Sequence, residues 1–91
     1  QRGEKKNKMD VDHIFPLKMY DVTIVNDRER AFHWRNHQLL PHTDNIVKKD
    51  RLPTKAMAAK VPKELWPDGI TEDMLPDIYD GWATPLRMHA A

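Results

Sequence analysis

The sequence predicts a small α+β domain: two short strands, then a helix, with further short helices on the C-terminal side. Three observations point there. The segments "MDVDHIF" (residues 9–15) and "NHQLLP" (residues 36–41) are rich in strand-favouring apolar residues, and each runs into a proline that stops regular pairing. The stretch "HTDNIVKKD" has helix-starting residues at its front and lysines toward its end. Five of the seven prolines lie between residues 53 and 85, where only short helices fit.

In chain order, residues 1–8, "QRGEKKNK", are polar, basic and aperiodic, and are expected to form a flexible arm. The first strand covers about residues 9–15, and a connection of mixed character follows. "NDRERAFHW" reads as a short helix capped by Asn26, with Asp27 and Glu29 at its positive end and Phe32 and Trp34 seating it on the core. After the second strand, Thr43 is the expected N-cap of the next helix, with Asp44 in its first turn. "TKAMAAK" and "PDIYDGW" are the expected late helices, the second with Pro76 at its first position. There Met74, Leu75, Ile78, Tyr79 and Trp82 recur at helical spacing opposite Asp73, Asp77 and Asp80, which predicts an apolar face turned to the core or to a partner. The organisation is an arm (1–8), a core (9–52) and a Pro-rich acidic extension packed on it (53–91).

Ninety-one residues, 40% hydrophobic and 32% charged, make one small domain near the lower size limit for a self-sufficient core. The absence of cysteine rules out disulfides and thiolate zinc sites. No apolar run approaches the roughly 18 residues of a membrane span, and no signal peptide is visible, so no membrane partner is expected. The start at Gln1 suggests a processed or excised piece. The net charge of +1 conceals a division: residues 1–63 hold 14 Lys and Arg against 8 acids, whereas residues 64–91 hold one Arg against 6 acids. Such a split suits a body that meets a polyanion and a tail that does not, or a tail that docks to another domain or subunit.

The pair Asp12-His13 interrupts the first strand. Alone, it reads as an edge carboxylate beside a packed histidine. Taken with Asn36, Asn45 and Lys48, it forms an ordered set: Asp-His-Ile, then Asn-x-Gln-x-Leu, then Asn-x-x-Lys. With the "FHW" run between them, these segments span about residues 9–52 and resemble the HNH nuclease family and its ββα-metal fold, in particular its phage and viral branch. The resemblance does not reach residues 53–91. It implies that His13 is the general base, that Asp12 and Asn45 hold one divalent metal, Mg²⁺ or Mn²⁺, and that Asn36 holds the loop that orients His13. Lys48 would contact phosphate, and Lys49, Arg51, Arg35 and the arm residues Lys5, Lys6 and Lys8 would add DNA contacts. The implied activity is metal-dependent cutting or nicking of DNA, in the cytoplasm (the host's, for a phage or viral protein).

Phosphodiester hydrolysis asks for these residue types on chemical grounds as well. It needs an activated water and a cation for the phosphoryl charge; imidazole titrates near neutral pH, and carboxylate and amide oxygens suit a hard divalent ion. Successive strand residues point to opposite faces, so Asp12 and His13 can serve one phosphate only if the strand ends, twists or bulges there. Where many HNH members carry zinc-knuckle cysteines this chain has Pro41 and Asp44, so no structural zinc is expected. His37 stands where an apolar residue is usual, and a nitrogen-only zinc site on His33, His37 and His42 is not expected, because a strand at Asn36 and Gln38 breaks the helical spacing that would let His33 and His37 converge. A competing reading is a nucleic-acid-binding module that does not cut, or an interaction fragment of a larger DNA-processing machine.

Overall fold

Two five-residue strands, β1 (Met9–His13) and β2 (His37–Pro41), pair antiparallel with Met9 opposite Pro41 and His13 opposite His37. They form the single sheet of a computed structural model that describes residues 8–80. Three α-helices accompany the sheet: α1 (Val25–Phe32), α2 (His42–Lys48) directly after β2, and α3 (Lys55–Ala58). Short 3-10 turns at Leu17–Met19, Trp34–Asn36, Lys63–Leu65 and Glu72–Met74 fill the connections. The fold class is α+β.

β1 is shorter than its apolar run. Ile14 and Phe15 are both fully buried, which consecutive residues of a one-sided strand cannot be, so the chain leaves the sheet after His13. The predicted caps also shift. α1 starts after Ile24, and Asn26 lies inside its first turn rather than capping it. Its start is held instead by Asp27, whose Oδ2 accepts from the Asp21 amide at 3.0 Å. Phe32 and Trp34 do not seat α1, being 52% and 70% exposed. Ala31 is its buried residue, and Arg30 ties it down by donating to the Trp66 carbonyl at 2.9 Å and to Asp68 at 3.1 Å. α2 starts after Pro41, so Thr43 lies within the helix and makes no cap. The His42 amide donates to the Lys8 carbonyl at 3.1 Å.

The helix expected from Pro76 does not form over residues 76–80. The Pro76 carbonyl, which would close its first turn, accepts instead from the Lys55 amide at 3.0 Å. Leu75 and Tyr79 are buried while Met74 and Ile78 are more than half exposed, so the predicted apolar stripe is broken; Trp82 lies outside the described residues.

One apolar cluster joins the two parts of the chain. Ile14, Phe15, Tyr20, Ala31 and Leu40 meet Met57, Ala58, Val61, Trp66, Leu75 and Tyr79. The Phe15 and Trp66 rings lie 5.1 Å apart, and the Trp66 indole donates to the Val61 carbonyl at 2.8 Å. Tyr20 and Tyr79 place their hydroxyls on the Leu65 and Leu52 carbonyls at 2.7 and 2.6 Å, so each ring is buried with its polar tip satisfied. Two acids of the late segment face bases: Asp68 pairs with Arg30 at 3.1 Å, and Asp77 with Lys55 at 3.2 Å. Among the described residues, no helix is long and apolar enough to cross a membrane.

Candidate active site

Strand alternation sorts the site residues. Asp10 and Asp12 face α2; Val11 and His13 face the other way, opposite Leu39 and His37 of β2. Asp12 is 7% exposed and both of its carboxylate oxygens have partners. Gln38, its cross-strand partner, donates to Oδ2 at 3.0 Å, and the Lys48 ammonium lies 3.2 Å from Oδ2 and 3.3 Å from Oδ1. Lys48 is completely buried and also donates to the His13 carbonyl at 2.9 Å. The expectation that Lys48 contacts phosphate is therefore corrected: its charge is turned inward, balancing Asp12 and closing the last carbonyl of β1. Burial pulls this ammonium below the ordinary lysine range, and Asp12 opposes that shift.

His13 is the last residue of β1, and the chain turns immediately after it. A shallow cleft of about 390 Å³ opens at this strand end, bordered by Asp12, His13, Asn45 and Lys49 together with Pro16 and Lys18. The alternation of the strand is kept, and the two neighbours share a cleft because the strand stops there. Burial, then the adjacent His37, hold the His13 imidazole below its ordinary value; Lys48 adds to this, and the Asp12 carboxylate opposes it. A lowered value keeps more of the ring neutral near pH 7, the form a base requires.

Asn36 is fully buried, and each end of its amide is used. Its Oδ1 accepts from the Phe15 amide at 2.8 Å, and its Nδ2 donates to the Phe15 and Ala31 carbonyls at 3.0 Å each. The Asn36 carbonyl also accepts from the Ile14 amide at 2.7 Å. One side chain thus clamps the segment leaving His13 to the end of α1. Hydrophobic side chains could not satisfy those three backbone groups.

Asn45, on α2, donates Nδ2 to Asp10 Oδ2 at 3.1 Å. His42, a turn earlier, places Nδ1 on the same oxygen at 2.7 Å. These two bonds, His42 first, hold the Asp10 carboxyl below the usual carboxylate range. A carboxylate only accepts, so Asn45 must present its NH₂ to Asp10 and turn Oδ1 the other way. By type, a carboxylate (Asp12) and an amide (Asn45) are donors of the kind a hard divalent ion takes, and both border the cleft beside His13. The two side chains do not bond each other: Asp12 is held by Lys48 and Gln38, Asn45 by Asp10. Among the described residues, no three or more His, Asp or Glu side chains are grouped to hold a metal ion. His33, His37 and His42 are not brought together as a trio, since His42 turns to Asp10 and His37 to His13.

The other predicted DNA contacts that the structure describes lie on the surface. Arg35 is exposed and stacks on the exposed Trp34 ring at 4.5 Å; Arg51 lies over the Tyr79 ring at 5.5 Å; Lys8 and Lys49 are exposed. Lys49 closes α2 with a positive φ of 49°, a backbone region that non-glycine residues seldom occupy. Lys5 and Lys6 fall outside the described residues. Sequence reasoning missed Asp10, Gln38 and the pairing of His37. The signal was present: Asp10 shares a strand face with Asp12, and a hairpin register that sets Asp12 against Gln38 also sets His13 against His37.

Comparison of the chain with protein-family models, with curated proteins and with solved structures finds no match to any of them.

Proposed function

We propose that this chain is a metal-dependent DNA endonuclease of the HNH, ββα-metal type. The observation that carries the reading is the shared cleft of Asp12, His13 and Asn45 at the end of β1, with Asn36 clamping the segment that follows. In this reading His13 takes a proton from the attacking water, and Asn36 keeps the base in place through the backbone. Asp12 and Asn45 would hold a Mg²⁺ or Mn²⁺ ion, which when bound supplies positive charge for the phosphoryl oxygens. Lys49, Arg35 and Arg51 offer exposed charge for the DNA backbone.

One observation favours a second reading, a nucleic-acid-binding module that does not cut: the charge of Asp12 is already balanced by Lys48. Plasmid DNA incubated with the full chain in Mg²⁺, in Mn²⁺ and in EDTA separates the two. The nuclease reading expects nicked or linear products with a metal and none in EDTA. DNA binding without products in either metal establishes the second reading instead.

A further inference from the structure

His37 was singled out in the sequence as a polar residue at an apolar position, and the proposed nuclease chemistry leaves it without a role. In the fold it stands directly across the sheet from His13. The two Nε2 atoms are 3.2 Å apart and the ring centroids 4.4 Å apart. The other nitrogen of His37, Nδ1, lies 2.9 Å from the His33 carbonyl. That carbonyl also accepts from the Asn36 amide at 2.9 Å, so it belongs to the braced turn before β2 rather than to a loose loop. His33 itself accepts from the Arg35 amide on its Nδ1 at 3.1 Å, which braces the same turn.

These contacts determine where the protons sit. A carbonyl oxygen only accepts, so Nδ1 of neutral His37 carries its hydrogen and Nε2 carries its lone pair. The opposite tautomer would set two acceptors against each other at 2.9 Å in a half-buried place, at the cost of an unmade hydrogen bond. Facing the Nε2 lone pair of His37, neutral His13 must present an N–H on its own Nε2. Its lone pair is then on Nδ1.

We infer that His37 is the positioning residue for His13: it holds Nε2–H of His13, orients the ring, and leaves Nδ1 as the basic nitrogen. The catalytic consequence rests on the nuclease reading above. One O–H bond of water breaks and its proton goes to Nδ1 of His13. The water oxygen forms its bond to phosphorus as the bond to the departing sugar oxygen breaks, and that oxygen takes a proton from solvent. His13 is then an imidazolium, and its bond to His37 becomes charge-assisted and stronger as the charge develops. A neutral imidazole anchored on a backbone carbonyl thus does for this base what an orienting group does for other catalytic histidines.

The test reads the tautomer directly and the rate separately. Long-range ¹H–¹⁵N correlation on the labelled full chain, above the titration of both rings, is expected to show His13 protonated at Nε2 and His37 at Nδ1. Finding His13 protonated at Nδ1, or exchanging between tautomers, overturns the inference. His37→Leu is expected to lose that preference and to lower kcat for plasmid cleavage roughly 10- to 100-fold with little change in KM, the size of a charge-assisted hydrogen bond. His37→Gln, whose amide both donates and accepts, is expected to recover most of the rate. A His37→Leu protein that melts like the parent and cuts at the parent kcat overturns the positioning role. If His37→Leu does not fold, the parent tautomer and the His37→Gln rate still decide. If the parent cuts no DNA, the nuclease reading fails, and the tautomer measurement still decides the pairing.

Discussion

Residues 9–52 and residues 53–80 bury different kinds of side chain. The first region encloses Asp12, Asn36, Asp44 and Lys48. In the second, among the described residues, Thr54 is the one buried polar side chain, and it caps α3 by accepting from the Met57 amide. Pro53, Met57, Ala58, Val61, Trp66, Pro67, Leu75 and Tyr79 supply the rest of that region's interior. Buried charges are poor sources of stability, because desolvation offsets most of their attraction. Apolar burial is the dependable term at about 25 cal/mol per Å². The contrast teaches where the charge goes: both segments supply apolar core, but the buried charged groups lie in the early one, held in fixed places around a cleft.

The sharpest way to break the contrast is His13→Ala. Cleavage is expected to fall by roughly 10²- to 10⁴-fold with DNA affinity and melting temperature kept; an unchanged rate removes His13 from the mechanism. In the parent, kcat/KM should fall as pH drops through the His13 pKa, because the protonated ring cannot act as a base. Since burial and His37 lower that pKa, the acid limb should lie below the ordinary imidazole value. A limb at or above that value counts against His13.

Next in size is the buried pair. Lys48→Met leaves Asp12 without its counter-charge and should cost about 3–5 kcal/mol in denaturant unfolding, whereas the double change Asp12→Leu with Lys48→Met should recover most of it. The double variant is expected to cut no DNA. Recovery of stability without activity would show that the pair serves the site; a double variant no better than the single would show that it serves the fold. On the other side of the comparison, Trp66→Ala removes a large ring from the shared cluster and should cost about 3–5 kcal/mol, while the folded fraction keeps its turnover.

Smaller effects sharpen the picture. Lys49→Gly relieves a positive φ and should gain about 1 kcal/mol while weakening DNA binding and its salt dependence. Unchanged affinity would remove Lys49 from the DNA surface. The smallest effect belongs to the late acids, whose carboxylates are exposed: Asp68→Asn with Asp77→Asn should leave the melting temperature close to the parent's, as an ion pair with one solvent-exposed partner contributes little. A large drop would mean that these acids hold the late segment in place.

Some of this was legible in the residues and some was not, for particular reasons. The order strand, strand, helix follows from "MDVDHIF", "NHQLLP" and "HTDNIVKKD", because apolar runs and the prolines that end them act locally. The set Asp12, His13, Asn36 and Asn45 was expected from the resemblance of its ordered motifs to the HNH family, and the structure brings Asp12, His13 and Asn45 to one cleft with Asn36 bonded behind it. The caps at Asn26 and Thr43 failed because a neighbouring segment met the helix starts first, through Asp27 with Asp21 and Lys8 with His42. The helix at Pro76 failed because Lys55, twenty-one positions earlier, takes its carbonyl.

Lys48 and His37 show where the division falls. By itself the sequence determined the two strands, the helix after the second and their order, since propensity, alternation and proline punctuation depend on near neighbours. Only the tertiary structure decided which groups satisfy one another: Lys48 with Asp12, Asn45 with Asp10, His37 with His13. Any of those side chains could have faced water. Closure of β1 on β2, and of α2 over both, buried Lys48 with Asp12 and left the other groups half-buried with a partner within hydrogen-bond reach.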